Sequence, residues 1–139
     1  MISYQYEADF ALENHVKYTD WIKDVIASEN MQLDDLSYVF CTDEYLYNLN
    51  DKYLGHKNYT DIITFDYTEG NKVSGEIYIS IDRVKENANK FAVQFETELQ
   101  RVMAHGILHL VGYKDKREKD RELMNAKENE KINMFHVKQ

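Results

Sequence analysis

His105-Gly106-Ile107-Leu108-His109-Leu110-Val111-Gly112-Tyr113-Lys114-Asp115 is the stretch that decides the reading of this 139-residue chain. His105 and His109 stand four apart in a helical pattern, so both imidazoles project from one face about one turn apart and can share a zinc ion. Gly112 permits the left-handed conformation that ends a helix and turns the chain back. Asp115, six residues after His109, can then return toward the two rings with an oxygen ligand; Glu118 and Asp120 are nearby alternatives. Three protein ligands leave one tetrahedral position open, which is a catalytic rather than a structural arrangement.

The spacing His-x3-His-x2-Gly-x2-Asp resembles the zinc helix and turn of metzincin proteases, H-E-x-x-H-x-x-G-x-x-H. Two residues depart from that pattern. Gly106 stands where the protease keeps the glutamate that activates water, and Asp115 stands in place of a third histidine. Histidines at this spacing also occur as ordinary residues of an apolar helix; the glycine turn and the acid at ligand distance favour metal. A two-histidine, one-carboxylate set also suits iron, nickel or cobalt, with zinc favoured by the motif.

Working outward, the length fits one domain over residues 1–139 and allows roughly two thirds of the unfolded chain's surface to be buried without staples. A composition 43% hydrophobic and 13% aromatic excludes intrinsic disorder. No apolar run nears the ~18 residues of a membrane span. The first residues lack the basic start and apolar core of a signal peptide. The single cysteine, Cys41, lies in an apolar run and reads as a packed thiol. These features set the expectation of a cytoplasmic protein. The net charge of −8 is uneven: residues 1–51 carry 11 acids against 2 bases, whereas residues 52–139 carry 14 against 15. The second part thus leaves room for a local basic surface, although the strongly basic balance usual in RNA binders is absent.

Hydrophobic periodicity predicts an α+β fold, a small mixed β-sheet packed with several helices around a metzincin-like zinc helix. The segment up to Phe10 reads as an edge strand. A helix is expected over 14–29, with Val16, Trp21, Ile22, Val25 and Ile26 on one face. A buried strand follows over 36–41, then a helix from an N-cap at Thr42 to a stop at Gly55. A hairpin is expected over 61–81, around the turn at 68–71. Helices are expected over 82–92, 95–111 and 116–134.

Three blocks resemble the YbeY-type endoribonucleases, a family of rRNA maturation factors. Their zinc signature, H-G-x-L-H-L-x-G-Y-D-H, agrees at His105, Gly106, Leu108, His109, Leu110, Gly112 and Tyr113; Lys114 and Asp115 replace its final Asp and His. A second block, L-N-x-x-Y-R-x-K-x-x-P-T-[DN]-V-L-S-F, agrees at Leu49, Asn50, Tyr53, Thr60, Asp61 and Phe65. Here Leu54 takes the place of the arginine, His56 that of the lysine, and Tyr59 that of the proline. The third, G-[DE]-I-x-I-S, is Gly75-Glu76-Ile77-Tyr78-Ile79-Ser80.

The resemblance implies a metal-dependent endoribonuclease specific for single strands, acting on rRNA, including that of the small subunit, and in ribosome quality control. One Zn2+ per chain would be held by His105, His109 and Asp115, with no small-molecule cofactor and no membrane partner. His56, next to Lys57, is the candidate acid, base or phosphate donor, or else a loop histidine. Lys57, Arg101, Lys114, Lys116 and Arg117 are the candidate phosphate contacts, and Tyr53, Tyr59 and Tyr113 the candidate stacking rings. His15 and His136 have no motif around them. A metalloprotease and a non-catalytic RNA- or ribosome-binding factor with a structural metal are the rival readings.

Overall fold

The computed structural model describes residues 1–137. Nine elements follow in chain order: β1 (Ile2–Glu7), α1 (His15–Ser28), β2 (Gln32–Cys41), α2 (Asp43–Leu54), β3 (Ile62–Asp66), β4 (Lys72–Ser80), α3 (Ile81–Lys90), α4 (Phe95–Leu110) and α5 (Glu118–Val137). The strands form one mixed sheet in the order β1-β2-β4-β3. β1, β2 and β4 run parallel, and β3 returns antiparallel along β4. The expected α+β class, edge strand and hairpin are present, and α4 is the helix expected to carry His105 and His109.

The alternation of side chains along each strand sorts the core into two layers. Tyr38, Phe40, Ile77 and Ile79 point to one face and pack with Trp21, Ile22 and Val25 of α1 and Leu99, Met103 and Ile107 of α4. Cys41, Ile63 and Tyr78 point to the other and pack with Leu46 and Leu49 of α2. Cys41 is fully buried, as expected, and burial raises its thiol pKa to about 12, so it is inert at neutral pH.

Three expectations need correction. Val16 is 64% exposed; the buried stripe of α1 is Tyr18, Trp21, Ile22, Val25 and Ile26, and Val16 falls about 200° from Tyr18 on a helix turning 100° per residue. β2 begins at Gln32 rather than Leu36. Its first residues pair with Lys72 and Val73 across a register irregularity between Leu33 and Leu36, and the polar pair Asp34-Asp35 hid them from a reading based on apolar runs. α5 begins at Glu118 and reaches Val137. Its buried stripe of Met124, Glu128, Lys131, Ile132 and Phe135 contains two charged residues, whereas Leu123 is half exposed.

α4 sits unusually close to the sheet at Gly106. A Cβ there would lie 2.9 Å from two carbons of Ile77 and 3.1 Å from Ile62 Cδ1. Glycine therefore lets the helix backbone rest on β4 and β3, which presents the next face, carrying His105 and His109, beside the β3 edge.

Candidate metal centre

α4 carries both histidines in its last two turns, and the chain reverses immediately after them. Gly112 adopts φ 112°, a conformation open to glycine and strained for other residues. The Tyr113 amide donates to the Leu108 carbonyl (2.9 Å) and closes the turn. Asp115 thereby returns to the rings: its Oδ2 lies 3.2 Å from Nε2 of His105 and 3.2 Å from Nε2 of His109. Glu118 and Asp120 do not take this place; Asp120 pairs with Arg117.

The three donor atoms fit a zinc ion. All lie within 4.8 Å of one another, and ligands at zinc's usual ~2.1 Å bond length stand about 3.4 Å apart at the corners of a tetrahedron. Each ring is also held from behind. Nδ1 of His109 donates to the Tyr113 carbonyl (3.0 Å), and Nδ1 of His105 lies 2.6 Å from Oε2 of Glu128. A neutral ring whose Nδ1–H is donated in this way presents a bare Nε2 lone pair, the form that binds metal. Two such lone pairs and a carboxylate oxygen facing one another could hold a metal ion between them.

Glu128 is the supporting residue that sequence reading missed. It is 4% exposed, and its second oxygen accepts from Arg101 (3.1 Å). Its signal was present in the spacing: an acid four residues after Met124 and four before Ile132 sits on the buried stripe of α5. Burial opposes charge on His105, but the hydrogen bond to Glu128 and the charges of Glu128, Asp115 and Asp61 outweigh it and raise the ring's pKa. Burial also raises the carboxyls of Asp61 and Glu98, the latter to about 6.

The centre opens into a cleft of about 550 Å³, with His109, Asp115 and Lys116 on one side and the β3 edge, Asn50, Leu54 and His56 on the other. Asn50, 3% exposed, donates to the Asn58 carbonyl (3.0 Å) and ties down the loop between α2 and β3. His56 shares the cleft with His109 and Asp115, and so does Lys116. Lys57 and Lys114 are exposed nearby in sequence but do not line it. Arg117 is solvent-exposed and paired with Asp120. Arg101 is engaged by Glu128 and Asn129. Among the tyrosines, Tyr53 and Tyr59 are more than half exposed, whereas the Tyr113 hydroxyl donates to Glu29 (2.7 Å). His15 lies in a larger hollow of about 930 Å³ between α1 and the end of α5, which none of the three metal-capable residues lines.

The family described as Endoribonuclease YbeY matches residues 3–136. The chain belongs to the YbeY endoribonuclease family. Within that family it is 55% identical over 139 residues to the endoribonuclease YbeY of Flavobacterium johnsoniae, covering 100% of both chains. It is 47% identical over 116 residues to that of Bacteroides thetaiotaomicron, covering 84% of this chain and 85% of the relative. The fold is similar to a solution structure of a Thermotoga maritima protein, with a TM-score of 0.68 and 26% identity over 97% of this chain and 89% of the other.

Proposed function

We propose that this YbeY-family protein is a zinc-dependent endoribonuclease that cuts single-stranded RNA in the cleft beside His109 and Asp115, and that its cellular substrate is rRNA at the ribosome or its small subunit, in rRNA maturation and ribosome quality control. The observation that carries the reading is the convergence of three donors, His105, His109 and Asp115, on one point at the mouth of that cleft. Residues 1–139 act in this reading as one domain, working in the cytoplasm; no helix among the described residues is long and apolar enough to cross a membrane.

His105, His109 and Asp115 would hold the zinc ion, which would supply Lewis-acid chemistry toward a phosphate oxygen and lower the pKa of bound water. The chain's own residues do the rest. Glu128 and the Tyr113 carbonyl keep the two rings aimed. Lys116, at the cleft wall, offers a cation to the RNA backbone, and Lys57, Lys114 and Arg117 extend that attraction from the rim. Arg101, a further candidate phosphate contact, is held by Glu128 and Asn129 beside the metal side. His56 lines the same cleft as His109 and Asp115, which supports its reading as the group that holds or gives a proton at a phosphate oxygen or at the leaving oxygen. Leu54, in the same wall, gives the apolar contact that a base makes and no charge.

The protease reading lacks a place for its base. Position 106, where the protease keeps glutamate, is pressed against Ile77 and Ile62 and has no room for a carboxylate. The experiment is cleavage of a labelled single-stranded RNA by the purified protein, with casein in parallel. Cleavage of RNA that stops with chelator and returns with zinc, with casein untouched, is expected. RNA binding without cleavage under zinc would replace the enzyme with a binding factor.

A further inference from the structure

Glu29 closes α1, 84 residues before Tyr113 in the chain and on a different element from every candidate ligand. Its carboxylate is nonetheless the hub of a network that ends at the metal centre. Oε1 accepts from the Tyr113 hydroxyl at 2.7 Å. Oε2 accepts from Lys131 at 2.7 Å and from Lys127 at 3.2 Å. Lys131 is fully buried and also donates to Ser28 and Glu130. Lys127 lies over the Tyr113 ring, 5.6 Å from its centre. Burial opposes the Glu29 charge, but Lys131, Tyr113 and Lys127 outweigh it and hold its pKa below the ordinary carboxylate value. The carboxylate is thus a fixed anion with both oxygens occupied.

Tyr113 is the residue on which the second half of the metal centre turns. Its carbonyl accepts from Nδ1 of His109, and Asp115 follows two residues later. Without an anchor, this stretch between α4 and α5 would have the freedom of any exposed connection. The Tyr113 side chain provides that anchor, and Glu29 determines where it lands.

We propose that Glu29 is a positioning residue of the metal centre, acting through the Tyr113 hydroxyl on the aim of His109 and the return of Asp115. The inference rests on the metal reading above. It assigns α5 two routes to the ligands: Glu128 directly to His105, and Lys131 and Lys127 through Glu29 and Tyr113 to His109 and Asp115.

The test is zinc affinity, by competition against a chromophoric chelator, together with the absorption spectrum of the Co2+-loaded protein. Tyr113→Phe, Glu29→Gln and the double variant are compared with wild type. Tyr113→Phe removes one oxygen and keeps the ring, so it preserves the packing even if Glu29→Gln disturbs it. Each single variant is expected to lower zinc affinity about tenfold, at the low end of the range for partners behind a metal ligand. The double variant should be no weaker than the weaker single one, because both act through one bond, and the Co2+ bands should shift. Variants that melt earlier but bind zinc and colour cobalt as wild type does would overturn the assignment and leave the metal reading intact. A wild type that binds no zinc would overturn both.

Discussion

The two walls of the cleft are built differently. On one side, His105 and His109 project from a helix buried along most of its length, and each ring is pinned by a partner on its far side. On the other, Leu54 ends α2, and His56 and Asn58 belong to the exposed connection after it, held chiefly by Asn50. The metal wall needs donor atoms placed to a fraction of an ångström, and a packed helix braced by a second helix provides that. In the proposed reading the opposite wall meets a flexible polymer, where an exposed loop suffices.

Breaking the metal wall should have the largest effect. His109→Ala should abolish RNA cleavage while leaving the fold, seen by circular dichroism, intact, because the ring is partly exposed at the cleft mouth. Glu128→Gln comes next. Its amide oxygen can still accept from Nδ1 of His105, but without the charge, so zinc affinity measured by competition should fall roughly 10–100-fold.

Glu98 tests the electrostatics behind that wall. Burial raises its pKa to about 6 from the ordinary 4.5, so the folded state holds its proton more tightly than the unfolded state. The stabilisation from that proton is fully present below pH 4.5 and is lost as pH rises through 6. Glu98→Gln should therefore gain on wild type by up to about 2 kcal/mol at pH 7 and gain nothing at pH 4, as read from denaturant midpoints. On the opposite wall the effect should be smallest. His56→Gln is expected to lower cleavage severalfold without changing zinc content; an unchanged rate would make it a loop histidine.

The same contrast governs what the sequence discloses. The metal turn was legible because its chemistry is local: two histidines one turn apart, a glycine that reverses the chain, and an acid within reach. Helix ends were legible for the same reason, as with Thr42, whose hydroxyl accepts from the Tyr45 amide, and Gly55, at φ 67°. What the sequence left hidden is carried by contacts distant along the chain. Glu128 reaches His105 across 23 positions and Glu29 reaches Tyr113 across 84. Neither acid belongs to a local motif. Arg101, read from the sequence as a candidate phosphate contact, is another case: its engagement with Glu128 and Asn129 becomes visible only in the fold. The start of β2 was hidden because Asp34 and Asp35 fall in the register irregularity, and pairing with Lys72 and Val73, rather than hydrophobicity, keeps Gln32 and Leu33 in the strand before them.

The most direct test is metal content by mass spectrometry on purified wild type beside Asp115→Ala, both confirmed folded. The account predicts close to one zinc per wild-type chain and a marked loss in the variant. Full zinc occupancy in Asp115→Ala would remove Asp115 from the centre, and no metal in folded wild type would contradict the metal-dependent nuclease itself.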